Sequence, residues 1–254
     1  MGVEARWDSE TRATACCDCK ASLHDRIDAR LDPQAPRAFT EAGASSRREY
    51  ERRHARREQR LDQRWGRLAG VAKFLSDDPQ STKAWAKGSE GERRLAARLH
   101  QLVGDRAVFL HDRKVLRSRG NIDHIAIAAS GVWVIDAKNY SGLVEQRDVG
   151  RWFTTDKRLY VGGRDRTKAV GGLGWQAEAV RAALDVTAVP IRPALCFVEA
   201  DWKLFAKPFQ QDGVWVIWAK KLAALIAADG SLSREQVTNI AERLGTALPT
   251  ASTG

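Results

Sequence analysis

Asn121-Ile122-Asp123-His124 and, ten residues on, Val134-Ile135-Asp136-Ala137-Lys138-Asn139 decide how this chain reads. Ile122 to Ala128 and Val132 to Lys138 are rich in Ile, Val and Trp, the composition of strands, and Ser130-Gly131 suits a two-residue hairpin turn. With that turn, Asp123 stands opposite Lys138 and Ile125 opposite Asp136. Side chains alternate along a strand, so Asp123, Asp136 and Lys138 share one face. A four-residue loop keeps that facing, and an odd-length loop breaks it. Two acids and a lysine in apolar strands are costly to bury without a purpose. A site holding a divalent metal and a phosphate explains all three. The competing reading, a cross-strand Asp123–Lys138 ion pair worth about 0.2–1 kcal/mol, leaves Asp136 without a role.

A further acid lies upstream. Gly88-Ser89-Glu90-Gly91-Glu92 opens a helical pattern in which Leu95, Ala96, Leu99, Leu102 and Val103 form one stripe. Glu92 projects near the middle of that stripe. Glu90 points the other way, toward solvent, because each helical residue turns about 100°. Ser89-x-x-Glu92 also fits a capping box, with Glu92 bonded to the cap backbone. The two roles are compatible.

The order helix-Glu, strand-Asp, strand-Asp-x-Lys resembles the PD-(D/E)XK nuclease superfamily. The wording of Gly88-x-x-Gly91-Glu92, Asn121-Ile122-Asp123-His124 and Ile135-Asp136-Ala137-Lys138-Asn139 is similar to its nuclease-related domain, the NERD family. The resemblance runs from about Trp85 to about Trp218. No single piece is specific; three in order are. It implies an α/β fold with a restriction-endonuclease-like αβββαβ core, a mixed sheet flanked by helices. It also implies Mg²⁺- or Mn²⁺-dependent phosphodiester hydrolysis, with Glu92, Asp123 and Asp136 near the metal and Lys138 near the attacking water. In related nucleases a glutamine on the helix after the strands approaches the active site. Gln176 resembles it, as an accessory catalytic or substrate-orienting residue.

Coordination chemistry reaches part of this without the family. Mg²⁺ prefers oxygen ligands, commonly one or two carboxylates with water and phosphate. Asp123 and Asp136 could supply carboxylates and Ala137 a backbone carbonyl. Such a metal polarises a phosphoryl oxygen and acidifies its water. Lys138 could position that water or steady phosphate charge, its own ammonium partly neutralised by Asp123.

Downstream, Leu143–Gln146, Trp152–Thr154 and Arg158–Val161 read as short strands of a meander. Gly162 to Lys168 reads as a mobile basic loop, with Arg164, Arg166 and Lys168 facing a phosphate backbone or plain solvent. Asn139, at the end of the strand motif, joins them as a candidate nucleic-acid contact. Leu173, Ala177, Val180 and Leu184 form a helical stripe that also carries Gln176, which reaches either the site or solvent. Ala194–Val198 and Val214–Trp218 read as buried strands. Ala219–Ala228 and Ser233–Leu244 read as helices, the second with a Ser233…Gln236 capping box. Of the nine tryptophans, most sit in apolar strand patterns, with Trp152 and Trp175 the least committed to a core. No Walker, HNH or H-E-x-x-H pattern and no internal repeat is present.

The 254 residues carry a net charge of +10 and 43% apolar residues, enough for a sizeable core and a mild pull toward polyanions. No apolar run approaches a membrane span and no secretory signal opens the chain, so a soluble, cytoplasmic protein is expected. Residues 1–43 lack a sustained period and read as disordered. Cys16, Cys17 and Cys19 lack the second ligand pair of a zinc site. Residues 44–78 read as a basic helical arm and linker, 79–220 as the nuclease-like domain and 221–254 as C-terminal helices and a short tail. In the arm, Arg52, Arg53, Arg56 and Arg57 belong to an arginine-rich run interleaved with Glu49, Glu51, Glu58 and Asp62. It is either a solvated salt-bridged helix or a nucleic-acid contact. Leu61, Trp65, Leu68, Ala72 and Leu75 form a short seam that docks on the domain or pairs weakly with another copy.

Two functions follow: a Mg²⁺-dependent DNA nuclease, or a binding module that keeps the fold without cutting. Convergence of the four polar side chains discriminates them. RNA is a further substrate, since metal and phosphate chemistry does not distinguish sugars. If the arm binds phosphates, deleting residues 1–78 lowers DNA affinity and flattens its dependence on salt concentration; a filter-binding titration at several salt concentrations would read both.

Overall fold

The structure, a computed structural model, describes residues 80–115, 120–185 and 188–251, with short pieces between 42 and 59. Cys16, Cys17, Cys19, Arg53, Arg57 and the 61–75 seam lie outside the described residues. No described helix is long and apolar enough to cross a membrane.

Helix α1 spans Gln80–Val103, and a short 3₁₀ turn leads to strand β1, Ala107–Lys114. Strands β2 (Asn121–Ala128) and β3 (Gly131–Lys138) follow, then β4 (Val144–Asp148), β5 (Lys157–Val161) and β6 (Arg164–Asp165). Helix α2 is Thr167–Leu184, and β7 is Ile191–Phe197. The chain closes with β8 (Phe209–Gln211), β9 (Val214–Trp218), α3 (Ala219–Ile226) and α4 (Arg234–Ala247). The main sheet has six strands in the order β1-β2-β3-β7-β9-β8, and β4-β5-β6 form a separate three-stranded sheet. The β1-β2-β3 meander is antiparallel, β3-β7-β9 is parallel and β8 is antiparallel to β9, so the sheet is mixed.

Alternation in β2 and β3 sorts their side chains into two cores. Ile125, Ile127, Val132 and Val134 pack with Leu173, Ala177 and Val180 of α2 and Val237, Ile240 and Leu244 of α4. Ala126, Ala128, Trp133 and Ile135 pack with Leu95 and Leu99 of α1 and Leu222 and Ile226 of α3. The result is a sheet covered by helices on both faces, which is why its central strands read as unbroken apolar runs. The α4 capping box forms as the sequence suggests: Ser233 Oγ accepts from Gln236 N–H, and Gln236 Oε1 accepts from Ser233 N–H.

Four local expectations need correction. The β2–β3 register pairs Ala128 with Gly131 and His124 with Ile135, so the turn is Ala129-Ser130 and, counted one step past the last pair, Asp123 falls level with Asp136 rather than Lys138. The shift is by an even step, so the shared facing survives. Helix α1 begins at Gln80, which places Ser89 and Glu92 inside it and removes the capping box. Ser89 Oγ instead donates to the carbonyl of Gly43 at 3.2 Å. Trp152 and Phe153 lie in a turn between β4 and β5, not in a strand. Arg164-Asp165 is a strand paired with β5 and Lys168 is in α2, so Gly162–Lys168 is not a mobile loop.

Between α1 and the sheet runs a chain of histidines that no sequence pattern announced. His100 Nε2 and His111 Nε2 are 2.9 Å apart, as are His111 Nδ1 and His124 Nδ1. Burial pulls the His111 pKa down to about 4, helped by the neighbouring His100 and Arg113 charges. The folded protein thus keeps His111 neutral where the unfolded chain would protonate it. That contribution is fully present above about pH 6.5 and is lost as pH falls toward 4. Urea unfolding at pH 7.5 and pH 4.5 should differ by up to roughly 3 kcal/mol from this group, and a His111→Phe variant should flatten that acid limb. An unchanged slope in the variant would assign the loss elsewhere.

Candidate functional site

Where β2 and β3 part company, the hydrogen bonding changes hands. The paired ladder ends at His124 and Ile135. Just beyond it, the Asp123 carboxylate accepts the Ala137 N–H at 3.0 Å, so a side chain takes the amide that a neighbouring strand would otherwise use. Asp123, Asp136 and Lys138 lie on the α2 side of the strands, in step with Ile125, Ile127, Val132 and Val134. Lys138 Nζ pairs with Asp136 Oδ1 at 2.7 Å, so its nearest acid is Asp136 and not Asp123.

Glu92 arrives from the opposite layer. Helix α1 meets the end of β3 through Asn139, whose Nδ2 donates to the carbonyl of Lys87 at 2.8 Å. Gly91 lies against the same asparagine: a Cβ there would sit 2.7 Å from Asn139 Cβ. The Gly88-x-x-Gly91-Glu92 spacing therefore has a packing cause at its second glycine. Only a residue without a side chain lets the helix approach so closely, and the next residue, Glu92, is buried at 8% exposure. Glu90 is half-exposed and paired with Arg93 and Arg94, not simply solvated.

These groups open into one cavity of about 880 Å³, lined by Glu92, Asp123, Asp136, Ala137, Lys138, Asn139, Arg164, Arg166 and Gln176 with their neighbours. Enclosure by protein raises the Asp123 pKa well above the usual carboxylate range, and the charges of Asp136 and Glu92 push it the same way. Lys138 and the Ala137 amide oppose that shift. For Lys138, burial favours losing the proton, but the Asp136 and Asp123 charges outweigh it and the pKa rises. The ammonium therefore holds its proton.

Several polar atoms at this cavity have no hydrogen-bond partner: Asn139 Oδ1, Arg166 Nε and Gln176 Oε1. Gln176 is fixed by its other end, Nε2 donating to the Asn121 carbonyl at 3.3 Å. Arg166 lies over the Tyr140 ring, 4.3 Å from its centroid. Buried polar atoms normally find partners, so this set suits polar contents such as water, ions or phosphate. Lys168 is exposed and does not line the cavity, and neither do Arg52 and Arg56. Arg52 pairs with Glu49 at 2.6 Å. Sequence reasoning missed Lys87, Asn121 and Tyr140, whose roles depend on contacts between distant segments.

The donor set suits a hard divalent cation: clustered carboxylate oxygens, a backbone carbonyl and room for water. Among the described residues, however, no group of three or more His, Cys, Asp or Glu side chains is placed to hold a metal ion. Any cation here would rest on fewer protein carboxylates, with water and phosphate completing its shell, the usual arrangement for Mg²⁺.

The site thus gathers acids and a protonated lysine at the end of a splitting hairpin in an α/β domain. Residues 87–198 match the family model of NERD, the nuclease-related domain, so this part of the chain is a nuclease-related domain. No curated protein and no solved structure matches the chain.

The Gly91–Asn139 contact sets a sign. In an open helix Gly→Ala stabilises by about 1 kcal/mol. Here the added methyl must displace Asn139 or the helix, an overpacking cost of about 1–3 kcal/mol. Gly91→Ala should therefore lower the urea midpoint, whereas Gly88→Ala, with nothing within 4 Å of its Cβ, should not.

Proposed function

We propose that the protein is a metal-dependent nuclease that hydrolyses phosphodiester bonds in DNA, with Mg²⁺ or Mn²⁺ held by Asp123, Asp136 and the Ala137 carbonyl, and Glu92 nearby. One observation carries the reading: three carboxylates and a protonated lysine share a cavity rimmed by cations. A groove built only to bind phosphates would place cations at its centre, because carboxylates repel phosphate. Acids at the centre and arginines at the rim make sense when a cation lies between acid and phosphate. When bound, that metal would polarise the phosphoryl oxygen and supply an acidified water.

The chain's own groups divide the remaining work. Lys138 keeps its proton, so it acts as a cation and hydrogen-bond donor toward the attacking water or the phosphate, not as the base. Gln176 offers a partnerless Oε1 to orient water or substrate. Arg164 and Arg166 carry the strand's phosphates, and Asn139 keeps α1 and β3 in register. No base-reading element is apparent among the described residues, so sequence preference should be weak.

A second reading has its own support. The lack of a three-ligand group among the described residues favours a module that binds nucleic acid and cuts slowly or not at all. Incubating labelled duplex and single-stranded DNA with Mg²⁺, Mn²⁺ or EDTA separates the two. We expect cleavage with metal, none with EDTA, and at least about a hundredfold loss in Asp136→Ala and in Lys138→Ala. Binding without cleavage under every metal condition would leave the binding module.

A further inference from the structure

The β4–β5 hairpin ends in Gly150-Arg151-Trp152-Phe153-Thr154, and the two rings at its tip are 96% and 98% exposed. Large aromatic groups gain nothing for folding in that position, so their exposure calls for a partner. The tip is also firmly built. Val149 N–H donates to the Asp156 carbonyl at 2.8 Å and Thr154 N–H to the Arg151 carbonyl at 2.7 Å. The amides of Gly150 and Asp156 both donate to Asp148 Oδ1, each at 2.9 Å. Arg151 N–H donates to Thr154 Oγ1 at 3.1 Å. Gly150 leaves no room for a side chain, since a Cβ would fall 1.7 Å from the Thr154 carbonyl oxygen. A loop held this way presents its rings at little further entropic cost.

Three observations identify the occupant. The hairpin belongs to the candidate site: β5 ends at Val161, and Val161, Gly162 and Arg164 line the cavity. The five residues of β5 span about 17 Å, a few nucleotides of extended strand. The loop's acids are also engaged within the hairpin, Asp148 by backbone amides and Asp156 by Arg158. Arg151 and Lys157 remain exposed beside the rings. Cations next to flat aromatic faces, on the arm of a phosphate-handling cavity, are the ingredients of single-strand binding.

We propose that Trp152 and Phe153 are a stacking tip that receives unpaired bases of single-stranded nucleic acid whose backbone runs through the cavity; this rests on the nucleic-acid reading above. Every base has a π-face, so the tip selects for unpaired strand without selecting sequence.

The test is fluorescence anisotropy of the full chain with a fluorescein-labelled single-stranded oligodeoxynucleotide and with a blunt duplex, Ca²⁺ replacing Mg²⁺ to limit cutting. Trp152→Ala/Phe153→Ala should weaken single-strand binding about tenfold or more and duplex binding much less. The slope of log affinity against log salt should stay unchanged, since no phosphate contact is lost. Trp152→Phe, which keeps a ring, should retain most of the affinity. The exposed side chains should leave the urea midpoint of the double variant at the wild-type value. Equal single-strand affinity in wild type and double variant would overturn the stacking tip and leave the nuclease reading standing. Binding of anionic phospholipid vesicles by wild type, lost in the double variant with single-strand affinity intact, would overturn it in favour of a membrane surface. Failure of wild type to bind either nucleic acid would overturn the nucleic-acid reading itself.

Discussion

The hydrogen bond from the Ala137 amide to the Asp123 carboxylate is the pivot of the site. On one side of it, β2 and β3 are an ordinary antiparallel ladder between two apolar cores. On the other, the strands no longer satisfy each other. An unpaired amide inside a protein costs about as much as a lost hydrogen bond, and the Asp123 side chain removes that cost. The same bond holds an acid beside Asp136, where burial and like charge both work against its ionisation. Lys138 counters part of that strain through its contact with Asp136. Carboxylate crowding and a retained lysine proton are two consequences of one local geometry.

The two helical layers contribute unequally to this geometry. Helix α2 packs on the face that carries Asp123, Asp136 and Lys138, so Gln176 reaches the site directly from its own layer. Helix α1 packs on the other face and gains access only at its contact with Asn139. Lys87 reinforces that junction by donating to Ser141 Oγ at 3.2 Å and pairing with Glu199 at 3.7 Å. Glu92 is therefore placed by packing, in a way Asp136 is not.

Alternation explains why the shared face could be read before the register could. A strand's side chains repeat every two residues, so an even error in pairing leaves the facing of Asp123, Asp136 and Lys138 intact. The misplaced turn has a concrete source in Gly131. It resembles a turn glycine, yet it is the first residue of β3, with φ +126° and the Pro190 carbonyl oxygen 2.6 Å from where its Cβ would be. It is glycine because the segment leading into β7 passes so close. Ser89 misled for a similar reason: its partner is Gly43, far away in sequence. The stripes Leu95–Val103 and Leu173–Leu184 were legible because helix burial repeats locally, except that Leu102, read as part of the first, is 45% exposed and lies off the buried face. The His100–His111–His124 chain was not, because three segments contribute one residue each.

The charges in this chain fall into zones that should respond to different variables. At the cavity centre, Lys138 pairs with Asp136 at 2.7 Å and the charges of Asp136 and Glu92 bear on buried Asp123, a setting in which added salt screens weakly. At the rim and along the hairpin, Arg164, Arg151 and Lys157 are exposed and fully subject to screening. Trp152 and Phe153 carry no charge. An electrostatic rim, an acidic centre and an apolar tip can therefore change independently. Under the proposed reading, salt would tune strand capture, divalent cation the chemistry at the phosphate, and base pairing the tip. On that proposal, the domain would hold a strand loosely over its length and reserve its demanding chemistry for one phosphate, with little need to read sequence.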